Sequence, residues 1–149
     1  MQLKTPETIK AEHDELHVTL HGAMHEPGGV GDAAKEVARL MHPHFLKEEE
    51  YAMPPLGLLP ALARGEATPD MAGALTLTDK LKAEMPHMLE EHKGIVAALK
   101  KLAAVAQREG KPQYAEFAKK LMLHAKNEEE VLYPAALLVG EIVRVRLGL

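Results

Sequence analysis

There is no cysteine in this chain. Disulfides, thiolate zinc sites, iron–sulfur clusters and cysteine nucleophiles are excluded together, so any metal must be held by histidine, aspartate or glutamate. Tryptophan is absent and aromatic residues make up only 3%, which argues against stacked recognition of nucleic-acid bases. An excess of positive charge is lacking too. The formal net charge is −4, with lysine and arginine scattered between acids, so no basic patch invites a nucleic acid. Long apolar runs are missing: Val131 to Gly140 is the longest, and Pro134 interrupts it. That is far short of the roughly 20 residues needed to span a bilayer. The opening MQLKTPETIKAEHDE has no apolar signal-peptide core, so the chain reads as cytoplasmic and not membrane-bound. Its 149 residues read as one domain, 1–149, large enough for its own core.

What the chain does have is histidine and glutamate in a repeated arrangement. HFLKEEEYAMP runs from His44 to Pro54 and HAKNEEEVLYP from His124 to Pro134. Each begins with histidine, places glutamates four, five and six residues later, and ends in proline. Residues four apart share one face of a helix, so His44 with Glu48 and His124 with Glu128 form two matched imidazole–carboxylate pairs. Such donors suit a first-row metal such as iron or zinc. Upstream stand EHDELHVTL, with His13, and EHKGIVAAL, with His92. Both carry Glu-His, an aliphatic residue three positions on and a leucine seven positions on. The chain therefore reads as a duplicated helical hairpin. Two such hairpins facing each other about a pseudo-twofold axis would bring four histidines and two glutamates to the centre of an all-α, up-down four-helix bundle.

In chain order, helix one is expected from Thr5 as N-cap, with Pro6 at the first helical position. His13, His17, His21 and His25 follow at four-residue steps, a stripe that drifts about 40° per step. Not all four can enter one small site; His21 and His25 are assigned to a solvated side, and His17 is left open. Asp32 is the expected N-cap of helix two, which contains Pro43 beside His44, so a local distortion is expected there. His42, about 160° from His44, points outward. Residues 53–69, rich in Pro and Gly, form a packed connection. An accessory helix is expected over 70–84, a break at Pro86, then helix three over 87–109 and helix four from Pro112. Residues 135–147 read either as a further helix or, from Val143 and Val145 alternating with Arg144 and Arg146, as an interface, so a homodimer is an open option. Glu49, Glu50, Glu129 and Glu130 read as solvated charge.

These motifs resemble the hemerythrin-like, or HHE cation-binding, domains. The resemblance rests on Glu-His, HFxxEE with a following proline, a second Glu-His, and HxxxEE followed by Tyr-Pro, and it covers nearly the whole chain. It implies a four-helix bundle around a non-haem di-iron centre, two iron ions joined by an oxo or hydroxo bridge, with zinc as an alternative occupant. By that resemblance His13, His44, His92 and His124 are terminal metal ligands and Glu48 and Glu128 bridge the ions. Oxygen-carrying relatives have a fifth histidine one turn before the helix-three ligand; here Met88 stands in its place. His87, His17 or Tyr51 are the candidates to replace it, Tyr51 alternatively being a second-layer donor or a core tyrosine. The carriers also place an aspartate five residues after the helix-four histidine, where this chain has Glu129. An open position favours chemistry or sensing over reversible carriage. Three readings follow: a di-iron protein that binds, senses or reacts with O2, peroxide or NO; an iron or zinc module without redox catalysis; and a metal-free structural bundle. A ferritin-like reading would need two ExxH motifs, and only Glu84–His87 matches.

Overall fold

The computed structural model describes residues 3–149, which are helical almost throughout, with no strand among them. α1 (Glu7–Met24) and α2 (Gly29–Lys47) form the first hairpin. A π-turn (Glu48–Ala52), a 3-10 turn (Pro54–Leu58) and the short α3 (Leu59–Ala63) follow. After a second 3-10 turn (Pro69–Gly73) comes the long α4 (Ala74–Arg108). α5 (Pro112–Asn127) runs through a second π-turn (Glu128–Leu132) into α6 (Tyr133–Leu147). α1, α2, α4 and α5 are the four members of the bundle. α1 packs on α2, α2 on α4, α4 on α5, and α5 closes back on α1.

Several expected boundaries move. α1 begins at Glu7, and it is the carbonyl of Pro6 that accepts the first amides, from Ile9 and Lys10. α2 begins at Gly29, three residues before Asp32. Its free amides at Gly29 and Val30 each donate, at 3.0 Å, to the Glu109 carboxylate at the far end of α4. A cap from another helix has replaced the local one, and Gly28 makes the approach with φ of +79°, a conformation glycine adopts at little cost.

The break expected at Pro86 is absent: 70–84 and 87–109 are not separate helices, because α4 runs unbroken through Pro86. Pro86 is exposed, as is Lys82, whose carbonyl loses its helical partner, so water can solvate the freed group. Both halves of α4 are also held by packing. Leu81 and Met88, on either side of the proline, sit in one buried cluster with Tyr133 and Ala136. The first half pairs with α6, where Gly140 lies so close to Thr78 that a β-carbon there would overlap its side chain. Residues 135–147 are thus helix, as the first of the two readings had it.

The interior is layered along the bundle axis. One apolar layer holds Leu16, Leu20, Val37, Met41, Ile95, Leu99, Leu102 and Leu121. Beyond the six histidines and glutamates of the repeat lies a second layer built from Tyr51, Met53, Leu56, Leu81 and Met88. A polar slab between two apolar layers is the feature that positions everything below.

Candidate metal centre

The four bundle helices supply one polar layer: His13 from α1, His44 from α2 with Glu48 at its end, His92 from α4, and His124 from α5 with Glu128 following. All six are buried, none more than 6% exposed. Their ring nitrogens converge. His44 Nε2 and His92 Nε2 are 2.8 Å apart, and His13 Nε2 and His124 Nε2 are 3.1 Å apart. Glu128 lies between the two pairs, with Oε2 at 3.1 Å from His124 Nε2 and 3.4 Å from His13 Nε2, and Oε1 at 3.3 Å from His92 Nε2. Two groups of donor atoms result, His44, Glu48, His92 and Glu128 in one, His13, His124 and Glu128 in the other. Glu128 belongs to both; Glu48 belongs to the first alone.

Three of the rings are oriented from outside. His124 Nδ1 donates to Glu12, His44 Nδ1 faces Glu91 Oε1 at 3.4 Å, and His92 Nδ1 donates to Glu129 Oε1 at 2.9 Å. A carboxylate on Nδ1 fixes the tautomer that leaves the Nε2 lone pair inward. Glu12 and Glu91 each precede a histidine of the layer, yet each serves the histidine of a neighbouring helix. Glu129, read above as solvated charge, is instead a partner of His92; Glu50 and Glu130 do pair with surface lysines, Lys80 and Lys126. Glu49 is exposed.

The inner face is short of hydrogen atoms. With Nδ1 protonated on His44 and His92, two lone pairs meet at 2.8 Å, and the buried Glu48 Oε1 has no hydrogen-bond partner. Burying acceptors against acceptors costs several kcal/mol unless a cation or a proton lies between them. Burial and the charge of Glu128 push Glu48 well above the usual carboxylate range. For Glu128 burial acts the same way, but its hydrogen bonds to Glu48, His124, His13 and His92 outweigh it and hold the group well below that range. Burial holds His44 below the ordinary imidazole value. In His92 and His124 burial is outweighed by Glu128, so both lie above it. The donor set, neutral imidazoles with carboxylates and a doubly directed Glu128, fits two adjacent first-row cations, which would let both carboxylates ionise.

Sequence reasoning missed Tyr133. Its hydroxyl donates to Glu48 Oε2 at 2.8 Å and lies 3.2 Å from Nε2 of both His44 and His92. On a regular helix Tyr133, nine residues after His124, would point about 180° away. The π-turn inserts one extra residue per turn, with the Tyr133 amide donating to the Glu128 carbonyl, and rotates the side chain back by about 100°. The same device at Glu48–Ala52 turns Tyr51 off the site. Its hydroxyl lies 3.7 Å from Met88 Sδ, and burial raises its pKa to about 12. Tyr51 is accordingly a core tyrosine. His87 is exposed and His17 lies against Phe45, so none of the three named candidates joins the donor groups of the layer.

The two halves of the site differ in access. A cleft of about 510 Å³, lined by Lys4, Lys10, Glu49 and Met53, reaches His13, and another, lined by Glu12, Lys120 and Leu123, reaches His124. Met53 holds the place in the first repeat that Tyr133 holds in the second.

No helix among the described residues is long and apolar enough to cross a membrane. No curated protein matches the chain, and neither does any solved structure. The family model for the hemerythrin HHE cation-binding domain matches residues 4–136. The matched region contains all four helices of the bundle and both His/Glu groups, and the chain belongs to the hemerythrin HHE cation-binding family.

Proposed function

We propose that the chain holds two iron ions at the bundle centre and uses them to bind, sense or transform dioxygen, peroxide or nitric oxide. His13 and His124 would hold one ion and His44, Glu48 and His92 the other, with Glu128 available to both. Iron in such a donor set supplies one-electron redox chemistry and exchangeable coordination positions.

The observation that carries this reading is the asymmetry between the halves. One half has four protein donors and a tyrosine hydroxyl, enclosed by apolar side chains. The other has three donors and faces the cleft that reaches His13. A small molecule arriving through that cleft meets the side with fewer protein ligands. Tyr133 keeps its hydrogen at neutral pH, since burial and the neighbouring Glu48 and Glu128 push its pKa upward. It can therefore present a proton at Oη beside Glu48, His44 and His92. Glu12, Glu91 and Glu129 keep the imidazoles turned inward, and the apolar layers restrict water.

The test is the response of the reduced, iron-loaded protein to each small molecule under anaerobic mixing. A change in the visible or near-ultraviolet spectrum with at least one of dioxygen, hydrogen peroxide and nitric oxide is expected. Iron that stays spectrally inert to all three would reduce the site to cation binding alone.

A further inference from the structure

The centre does not use all of the imidazole ladder on α1. After His13 come His17, His21 and His25, and His42 faces them from α2. His17, His21 and His42 line one cleft of about 110 Å³, walled in part by Met24 and Met41. At about 30 Å³ per water, that is room for an ion and two or three waters.

The rings around this cleft are partly set in place. His17 is half-buried and lies on the Phe45 ring with centroids 4.0 Å apart, so packing fixes its direction. His25 donates from Nδ1 to the His21 carbonyl at 2.9 Å, which leaves its Nε2 with a free lone pair, and its ring is 4.6 Å from that of His21. Histidines four apart on a helix share a face and can clasp one ion between them. His21 and His42 are exposed and free to rotate.

The donor chemistry is selective. No carboxylate lines the cleft, so magnesium or calcium would find no charged oxygen ligand there. Imidazoles suit nickel, copper and zinc, and affinity for nitrogen donors peaks at copper.

We propose that His17, His21 and His42 form a second cation site, on the outer face of the α1–α2 hairpin, which takes a borderline transition ion and Cu2+ above the others. The nitrogens of these rings do not all lie within 4.8 Å of one another, as those within each group of the centre do; the site forms only when the exposed His21 and His42 side chains turn toward His17. This site does not depend on what the bundle centre holds.

The experiment is a Cu2+ titration of the purified protein with its resident metal retained, followed by calorimetry, by electron paramagnetic resonance and by assay of the resident metal. One added ion per chain, with hyperfine splitting from imidazole nitrogen and no loss of resident metal, is expected. His21→Ala and His42→Ala, each at an exposed position, should weaken that binding by roughly a hundredfold, the low end of what a second linked donor contributes. Absence of an added ion, affinity unchanged in both variants, or copper uptake matched by loss of resident metal would each overturn the proposal.

Discussion

Tyr133 donates its hydroxyl hydrogen to Oε2 of Glu48 across 2.8 Å, from a side chain with no exposed surface to a carboxylate equally enclosed. The contact joins the last helix of one repeat to the HxxxE carboxylate of the other. Glu48 Oε1 has no hydrogen-bond partner among the described residues, so the Tyr133 hydroxyl on Oε2 is the main hydrogen-bond donor to that buried group.

Tyr133→Phe is expected to destabilise the metal-free protein by about 1–3 kcal/mol, the usual cost of leaving a buried acceptor unpaired. Tyr51→Phe loses only a long contact to Met88 sulfur and should change stability far less. Chemical denaturation of both variants after chelator treatment measures the difference, and equal effects would count against the assignment.

Glu129 and Glu130 are neighbours in sequence with different work. Glu129→Gln removes the carboxylate that orients His92, and metal affinity should fall about 10–100-fold, as is usual for outer partners of ligating histidines. Glu130→Gln removes an exposed ion pair with Lys126 and should leave affinity unchanged. Competition with a chromophoric chelator gives both numbers.

Metal retention should depend on pH with a definite sign. His92 and His124 titrate above the ordinary value of 6.5 in the metal-free bundle, and a cation needs both neutral. Affinity is therefore highest once pH exceeds those raised values and falls as pH drops through them, each lost ion being replaced by protons. Dialysis from pH 8 down to pH 5 with metal analysis at each step checks the direction; retention that improves toward acid would refute it.

Glu109→Ala removes the long-range cap from the first amides of α2. A loss of about 1 kcal/mol is expected, with metal content unchanged because Glu109 lies far along α4 from His92. Thermal unfolding and metal analysis on one preparation separate the two effects.

The buried His/Glu layer was legible because its spacing is that of a regular helix. His44 with Glu48 and His124 with Glu128 each fall four apart, and the duplication pointed to His13 and His92. Tyr133 was not legible, since a π-turn changes the period just where the helix leaves the site, and the same change sent Tyr51 elsewhere. Glu12 and Glu91 stood beside His13 and His92 in sequence, but their partners are on neighbouring helices, a matter of packing that no local pattern encodes. Pro86 misled for a related reason: local propensity predicts a break, while packing on both sides of an exposed proline keeps α4 whole.

The most direct measurement is metal content per chain in the wild type and in Glu128→Ala and Glu48→Ala. Two irons in the wild type, loss of both or severe depletion in Glu128→Ala, and selective loss of one in Glu48→Ala follow from a carboxylate shared by two donor groups and another that belongs to one. Unchanged metal content in Glu128→Ala, or a wild type that takes up no metal on reconstitution, would contradict the account at its centre.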